Sequence, residues 1–166
     1  MSRWPHPKDA HIPGRTPRPT ESPAYDATAD APVYTVDRMW SENETYLYGI
    51  EIYNAGFFWE AQEVWEPVWM RAAGNSRERL LLQGLIQLTN ACLKIAMEHP
   101  TAALRLLDVA ECKLSDAAQK CPTLMGLNLP DLQTSVGSFN AAVRGADPEQ
   151  ATCLLCQRPV LVTCAR

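Results

Sequence analysis

Two rows of polar side chains are the part of this sequence most suited to chemistry. Glu60, Glu63 and Glu66 recur at intervals of three residues, which places them on one side of a helix. A second row on the next predicted helix consists of Arg79, Gln83, Gln87, Asn90 and Lys94. Carboxylates beside amides in a water-poor cleft acquire shifted pKa values or bind a cation. The candidate ligand-binding residues are therefore Glu60, Gln62, Glu63, Glu66, Arg79, Gln83, Gln87 and Asn90.

The same rows also have a structural interpretation, and the sequence leaves both open. Glutamates on one side of an amphipathic helix are most often its solvated face, whereas amides on an apolar helix need hydrogen-bond partners if they are buried. Pro67 adds a second alternative, because it cannot donate a hydrogen bond to the carbonyl of Glu63. Either the helix bends there, or the carbonyl is free to accept from a ligand or from Arg79.

Two helices must position these rows. The pattern predicts one from about Phe58 to Ala72, with an apolar side and a glutamate-rich side. Asn75 or Ser76 can cap the next helix, which is apolar on nearly every side and is therefore expected at the centre of the fold.

Three further helices complete the predicted architecture. One starts after a capping box at residues 41–44 and ends at Gly56, one extends from Thr101 to about Lys120, and a weaker one extends from about Pro130 to Gly145. Short connections and the lack of a strand pattern predict an all-α fold, an antiparallel bundle of four to five helices.

The ends of the chain differ from this central part. Residues 1–38 hold seven of the thirteen prolines and no periodic apolar face, so we expect a flexible, disordered proline-rich arm. Arg3, Lys8, Arg15 and Arg18 make its first half mildly basic and suited to weak contact with an acidic surface. Residues 39–146 form the predicted helical domain, and residues 147–166 are a C-terminal tail without an assigned structure.

Composition argues against two classes of partner. The chain has 166 residues and a formal charge of -4 without a basic cluster in its helical part, so nucleic acid is not an expected partner. No apolar run is long enough to span a bilayer, and the first residues lack the apolar core of a signal peptide. We therefore expect a cytoplasmic protein with no membrane contact.

The six cysteines and three histidines give no complete metal site. Cys153-Leu-Leu-Cys156 has the spacing of half a zinc site, but no second pair and no histidine near it in the sequence completes four ligands. We predict free thiols and no metal, and the sequence identifies neither a cofactor nor a catalytic residue.

Several short motifs resemble one known family. They are Asn54-x-Gly56, Glu60-Ala-Gln-Glu63, Glu66, Trp69 and Leu82-Gln-Gly-Leu-Ile-Gln87. Their order is similar to the signature of the domain-of-unknown-function family numbered 309, a small all-helical prokaryotic family, over about residues 46–114. The resemblance implies a helical fold and a candidate site, but no reaction. It also implies that Gln62 replaces a histidine of the family motif, which would alter any activity that depends on that histidine.

Two classes of function follow from the sequence. The first is a non-enzymatic binding or protein-interaction domain, in which the second polar row fixes helix register and the arm contacts a protein partner or a second copy of the chain. The alternative is a small-molecule-binding or metal-binding, even hydrolytic, protein that uses the Glu/Gln cluster between the two helices.

Overall fold

The computed structural model describes residues 2–164. Residue 1 of the predicted arm and residues 165 and 166 of the tail lie outside the described residues. The α-helices are α1 (Pro23–Ala29), α2 (Glu44–Asn54), α3 (Phe58–Met70), α4 (Arg77–Ala96), α5 (Pro100–Ala118) and α6 (Leu129–Gly145). The other elements are two 3-10 helices (Asp37–Glu42 and Pro148–Gln157) and a hairpin of β1 (Thr123–Leu124) and β2 (Leu127–Asn128). The predicted all-α helical bundle is confirmed.

Helix starts follow local capping chemistry. Ser76 caps α4 by accepting from the amide of Arg79, as the sequence predicts. Gly56, at φ 93°, ends the turn after α2 in the left-handed conformation that glycine favours. The capping box predicted at residues 41–44 is displaced, since Ser41 belongs to a 3-10 helix and Asn43 caps α2 instead.

The core lies between α2, α3, α4 and α5. Trp65 is fully buried, and its indole N–H donates to the carbonyl of Tyr46 at 3.1 Å. Gly49 allows this contact, because a side chain there would overlap the Trp65 ring. Gly84 permits an equally close approach of α4 to Leu114 on α5. These small residues bring α3 against α2 and α5 against α4.

The N-terminal segment differs from the predicted flexible arm. Trp4 is only 8% exposed, Pro7 is buried, and Ala24 and Ala27 of α1 are fully buried against the bundle. This packing could not be predicted from a periodic apolar face. Isolated large side chains and ion pairs hold the segment in place, and it has no continuous amphipathic stripe. We keep the word arm for residues 2–20.

The C-terminal segment also packs on the helices. The hydroxyl of Tyr53 donates to the carbonyl of Pro159 at 2.9 Å, and the side-chain amide of Asn54 exchanges two hydrogen bonds with the backbone of Leu161. Thr163 then pairs with Leu127 beside the hairpin. The limits of the helical domain, residues 39–146, stay a prediction, since segments on both sides of it share its core.

None of the helices within residues 2–164 combines the length and apolarity that crossing a bilayer requires.

Candidate functional site

Glu60 is a buried carboxylate beneath the arm. Its side chain lies on the first turn of α3 and is 0% exposed. The backbone N–H of His11 donates to Oε1 at 2.7 Å, while Oε2 has no hydrogen-bond partner. Burial raises the pKa of Glu60, although the hydrogen bond from His11 partly opposes that rise. The sequence pattern placed Glu60 with the polar residues of α3, and the arm is what removes it from water.

Glu63 lies one turn further along α3 and is partly buried. Its carboxylate is 3.8 Å from the guanidinium of Arg18. Burial and the nearby Glu66 raise the pKa of Glu63, and Arg18 opposes this effect. Glu66 itself is exposed.

The carbonyl of Glu63 is the one that Pro67 leaves without a donor from its own helix. The hydroxyl of Thr28 on α1 lies 3.5 Å from it, while a shorter hydrogen bond of 2.7 Å joins that hydroxyl to Ala24. α1, rather than Arg79, therefore covers this carbonyl.

Trp59 forms an aromatic wall beside the two glutamates. It is 9% exposed, and the ring of His11 meets it edge-on with 4.8 Å between ring centroids. The guanidinium of Arg18 lies 5.3 Å from the centre of the indole, within the range of a cation–π interaction. A cation is therefore already placed against Trp59 by the arm.

A second group of contacts ties the start of the arm to α2. The hydroxyl of Tyr48 donates to the carbonyl of Pro5 at 2.7 Å, and Glu51 accepts the backbone N–H of Ser2 at 3.1 Å. The other oxygen of Glu51 is 3.0 Å from the His6 ring, and Trp4 packs against Tyr48 with 5.4 Å between centroids. Partial burial acts to raise the pKa of Glu51. The hydrogen bonds from Ser2 and His6 outweigh this effect and hold the pKa below its ordinary value.

Several arginines of the arm pair with acidic residues of the rest of the chain. Arg3 contacts Glu44 at 3.0 Å, and Arg15 contacts Glu98, just after the end of α4, at 2.7 Å. With the contacts at Glu51 and Glu63, arm side chains meet acidic residues of α2, of α3 and of the turn after α4. We define the α2–α3 face as the surface formed by Glu44, Tyr48, Glu51, Trp59, Glu60 and Glu63.

The structure does not link the two polar rows predicted from the sequence. Within residues 2–164, no hydrogen bond joins Glu60, Glu63 or Glu66 to the second row. Gln62 and the amides of the second row are half-buried, the latter being Gln83, Gln87 and Asn90.

Arg79 has a structural environment. It donates to the carbonyls of Trp69 and Ala72 at 3.3 and 3.1 Å, and its guanidinium lies 4.2 Å from the centre of the Trp69 ring. A cation at the last carbonyls of α3 stabilises that helix end.

The sequence did not predict the contacts that Trp4 and His11 of the arm make with the α2–α3 face, nor the part that Tyr48 and Glu51 play in binding the arm. The one signal for such docking was the basic character of the arm in a chain with a net negative charge. An exposed glutamate and one that accepts a main-chain N–H have the same helical spacing, so periodicity could not distinguish them.

Among residues 2–164, no three His, Cys, Asp or Glu residues are arranged to hold a metal ion. Cys153 and Cys156 are exposed thiols in a 3-10 helix. Burial raises the pKa of Cys92 to about 12, so its thiol is inert at neutral pH.

The helices of the α2–α3 face also have a family counterpart. Residues 46–106 match the family model described as Domain of unknown function (DUF309). The match confirms the resemblance predicted from the sequence and spans most of α2, all of α3 and α4, and the start of α5. No curated protein and no solved structure matches the chain. The DUF309 region contains Tyr48, Glu51, Trp59, Glu60 and Glu63, whereas the arm lies outside it. Except for Glu44, the acidic groups of the face therefore lie in the matched region, and the segment bound to them does not.

Proposed function

We propose that this chain is a non-enzymatic protein-interaction domain whose α2–α3 face binds an extended, positively charged segment. The arm fills this face in the absence of a partner. The observation that supports the proposal most directly is the hydrogen bond from the backbone of His11 to the buried carboxylate of Glu60.

Main-chain recognition supports this function. Glu51 and Glu60 each accept a backbone N–H, and the hydroxyl of Tyr48 donates to a backbone carbonyl. Side chains that bond the main chain of an extended segment provide affinity without requiring one particular sequence. Such a face suits the binding of segments from different proteins.

Electrostatics supports the same function. The ion pairs that Arg3 and Arg18 make with Glu44 and Glu63 of this face are each at least partly exposed. Exposed pairs of this kind contribute little stability, about 0 to 1 kcal/mol each, but they steer association and select for positive charge. A basic segment is therefore favoured over an acidic one.

The arm must compete with any partner, because it is tethered to the face it occupies. A short flexible tether gives an effective concentration of order millimolar. The affinity of a segment added in trans is reduced by the fraction of molecules whose face is open. Loosening the arm should therefore increase affinity for an added segment without changing the face.

Fluorescence anisotropy with a labelled peptide of residues 2–20 tests this proposal on the full chain. We expect weak binding to the wild type and binding about tenfold or more tighter to Trp4→Ala, because the substitution removes a buried ring from the arm and about 1.4 kcal/mol is tenfold. Arg3→Ala is a second loosening variant, which removes the ion pairs of Arg3 with Asp30 and Glu44 and its stacking on Trp4.

Trp40→Ala is the matched control, since Trp40 is a half-buried tryptophan that packs at Gly126, outside the α2–α3 face. It should leave peptide affinity unchanged in a folded sample. The proposal is wrong if the peptide binds neither loosened variant at millimolar concentration, or if Trp40→Ala increases binding as much as Trp4→Ala does.

The small-molecule or cation-binding alternative requires the two polar rows to act together. Within residues 2–164 no hydrogen bond or ion pair between the two rows supports it, and Glu60 and Glu63 of the first row are engaged by the arm instead. We therefore propose the docking function ahead of it.

A further inference from the structure

We infer that α3 holds an arginine subsite, formed by Trp59, Glu60 and Glu63, and that the preferred partner is an extended segment of another protein with an arginine at the place of His11. This inference rests on the proposed docking function and names the chemistry of the partner.

Glu60 is incompletely satisfied by the arm. The side chain is 0% exposed, yet only Oε1 has a donor, and Oε2 has none. A buried oxygen without a donor lowers stability, because it has lost its hydrogen bonds to water and has no replacement for them. An occupant with a second N–H donor would bind this face better than the arm does.

Position 11 of the arm is the place from which such a donor would reach Oε2. The backbone of His11 already bonds Glu60, and its ring packs against Trp59. Its Nδ1 is 3.1 Å from the hydroxyl of Thr16, so that nitrogen is directed at the arm itself.

A guanidinium suits this environment better than an ammonium does. It is planar, it stacks on an indole, and it presents paired N–H donors that match carboxylate oxygens. Arg18 already places a guanidinium over Trp59 and near Glu63, but its side chain is 68% exposed and 3.8 Å from the carboxylate. The arm therefore uses the subsite only loosely.

The unpaired oxygen of Glu60 also bears on the identity of the occupant. A second copy of this chain would bring the same histidine to the subsite and leave Oε2 equally unpaired. The preferred occupant is therefore a segment of a different protein.

Peptide variants test the inference on the full chain. Labelled peptides of residues 2–20 with the native sequence, His11→Arg and His11→Lys are titrated into the Trp4→Ala variant. We expect the His11→Arg peptide to bind about tenfold or more tighter than the native peptide, since it adds charge-assisted hydrogen bonds, and the His11→Lys peptide to gain less.

The acceptor variants locate the effect. Adding Glu60→Gln should abolish the gain from arginine, while adding Glu66→Gln, which changes an exposed glutamate of the same helix, should preserve it. The inference is overturned if His11→Arg binds no tighter than the native peptide, or if its gain survives Glu60→Gln. In both cases the docking function stands, because the native peptide still binds. If no peptide binds, the docking function and the inference both fail.

Discussion

Glu60 combines a role in binding with a cost in stability. A carboxylate removed from water prefers its neutral form unless it is fully paired, and Glu60 has one partner for two oxygens. Residues kept for binding commonly lower the stability of the free protein. This trade-off distinguishes a binding carboxylate from a structural one, which would stabilise the fold.

The substitution Glu60→Gln should raise the melting temperature at about pH 7. Gln still accepts the N–H of His11, and the substitution removes a buried charge. Because the pKa of Glu60 is raised above its ordinary value of 4.5, the folded state is favoured by protonation of Glu60. This contribution to the free energy of unfolding is fully present below pH 4.5 and is lost as pH rises through the raised pKa.

The advantage of Glu60→Gln over the wild type should therefore shrink as pH falls from 7 toward 4.5. Thermal unfolding followed by circular dichroism at several pH values measures it. Glu66→Gln is the control and should show no such gain. A lower melting temperature for Glu60→Gln at pH 7 would mean that the charge stabilises the fold, contrary to our interpretation.

The sequence identified Glu60 and Glu63 as candidates but not their partners. Their spacing indicates that they lie on one side of α3, and they do so in the structure. Whether that side faces water depends on residues 2–20, almost fifty positions away, and no local pattern encodes that contact. Contacts between these glutamates and the amides of α4 could not be predicted for a similar reason. The spacing along each helix does not determine how one helix is rotated relative to the other.

At the scale of elements, the α2–α3 face depends on how closely its two helices approach. Gly49 on α2 lies against the ring of Trp65 on α3, and both the ring and its bonded partner Tyr46 are fully buried. This contact fixes the separation between the helices that carry Glu51 and Glu60. The ring has little freedom to move.

Gly49→Ala should lower the free energy of unfolding by about 1 to 3 kcal/mol, the usual cost of overpacking a core. Alanine favours the helix by about 1 kcal/mol over glycine, so the overlap must outweigh that gain. Chemical denaturation measures the difference. Gly145→Ala, at the last residue of α6, is the control, because no atom lies within 4 Å of an added side chain there. Equal stability of the two variants would show that α2 and α3 are not held at this separation.

Helix limits were the most predictable feature of this chain. Ser76 and Gly56 each act locally, through a side-chain cap or a left-handed turn, and each lies where the sequence predicts. α1 was missed because it is short, Pro23–Ala29, and only Ala24 and Ala27 are buried. Two alanines give no detectable amphipathic pattern.

At the scale of the whole molecule, both ends of the chain are fastened to the DUF309 region. The arm lies on α2 and α3, and the C-terminal segment is held by Tyr53 and Asn54. Composition predicted a flexible arm because prolines and charges rarely form a core. A segment can nevertheless be ordered by a surface with complementary charge, and composition alone does not reveal that surface.

The most direct test of this account is hydrogen exchange of the isotope-labelled full chain, measured with and without an excess of unlabelled peptide of residues 2–20. We predict that the arm amides, including that of His11, are protected in the free protein and exchange faster when the peptide takes their place. Amides of α4 should be unaffected. Arm amides that exchange freely without the peptide, or that keep their protection while the peptide is bound, would contradict the claim that the α2–α3 face is a docking site held closed by the arm.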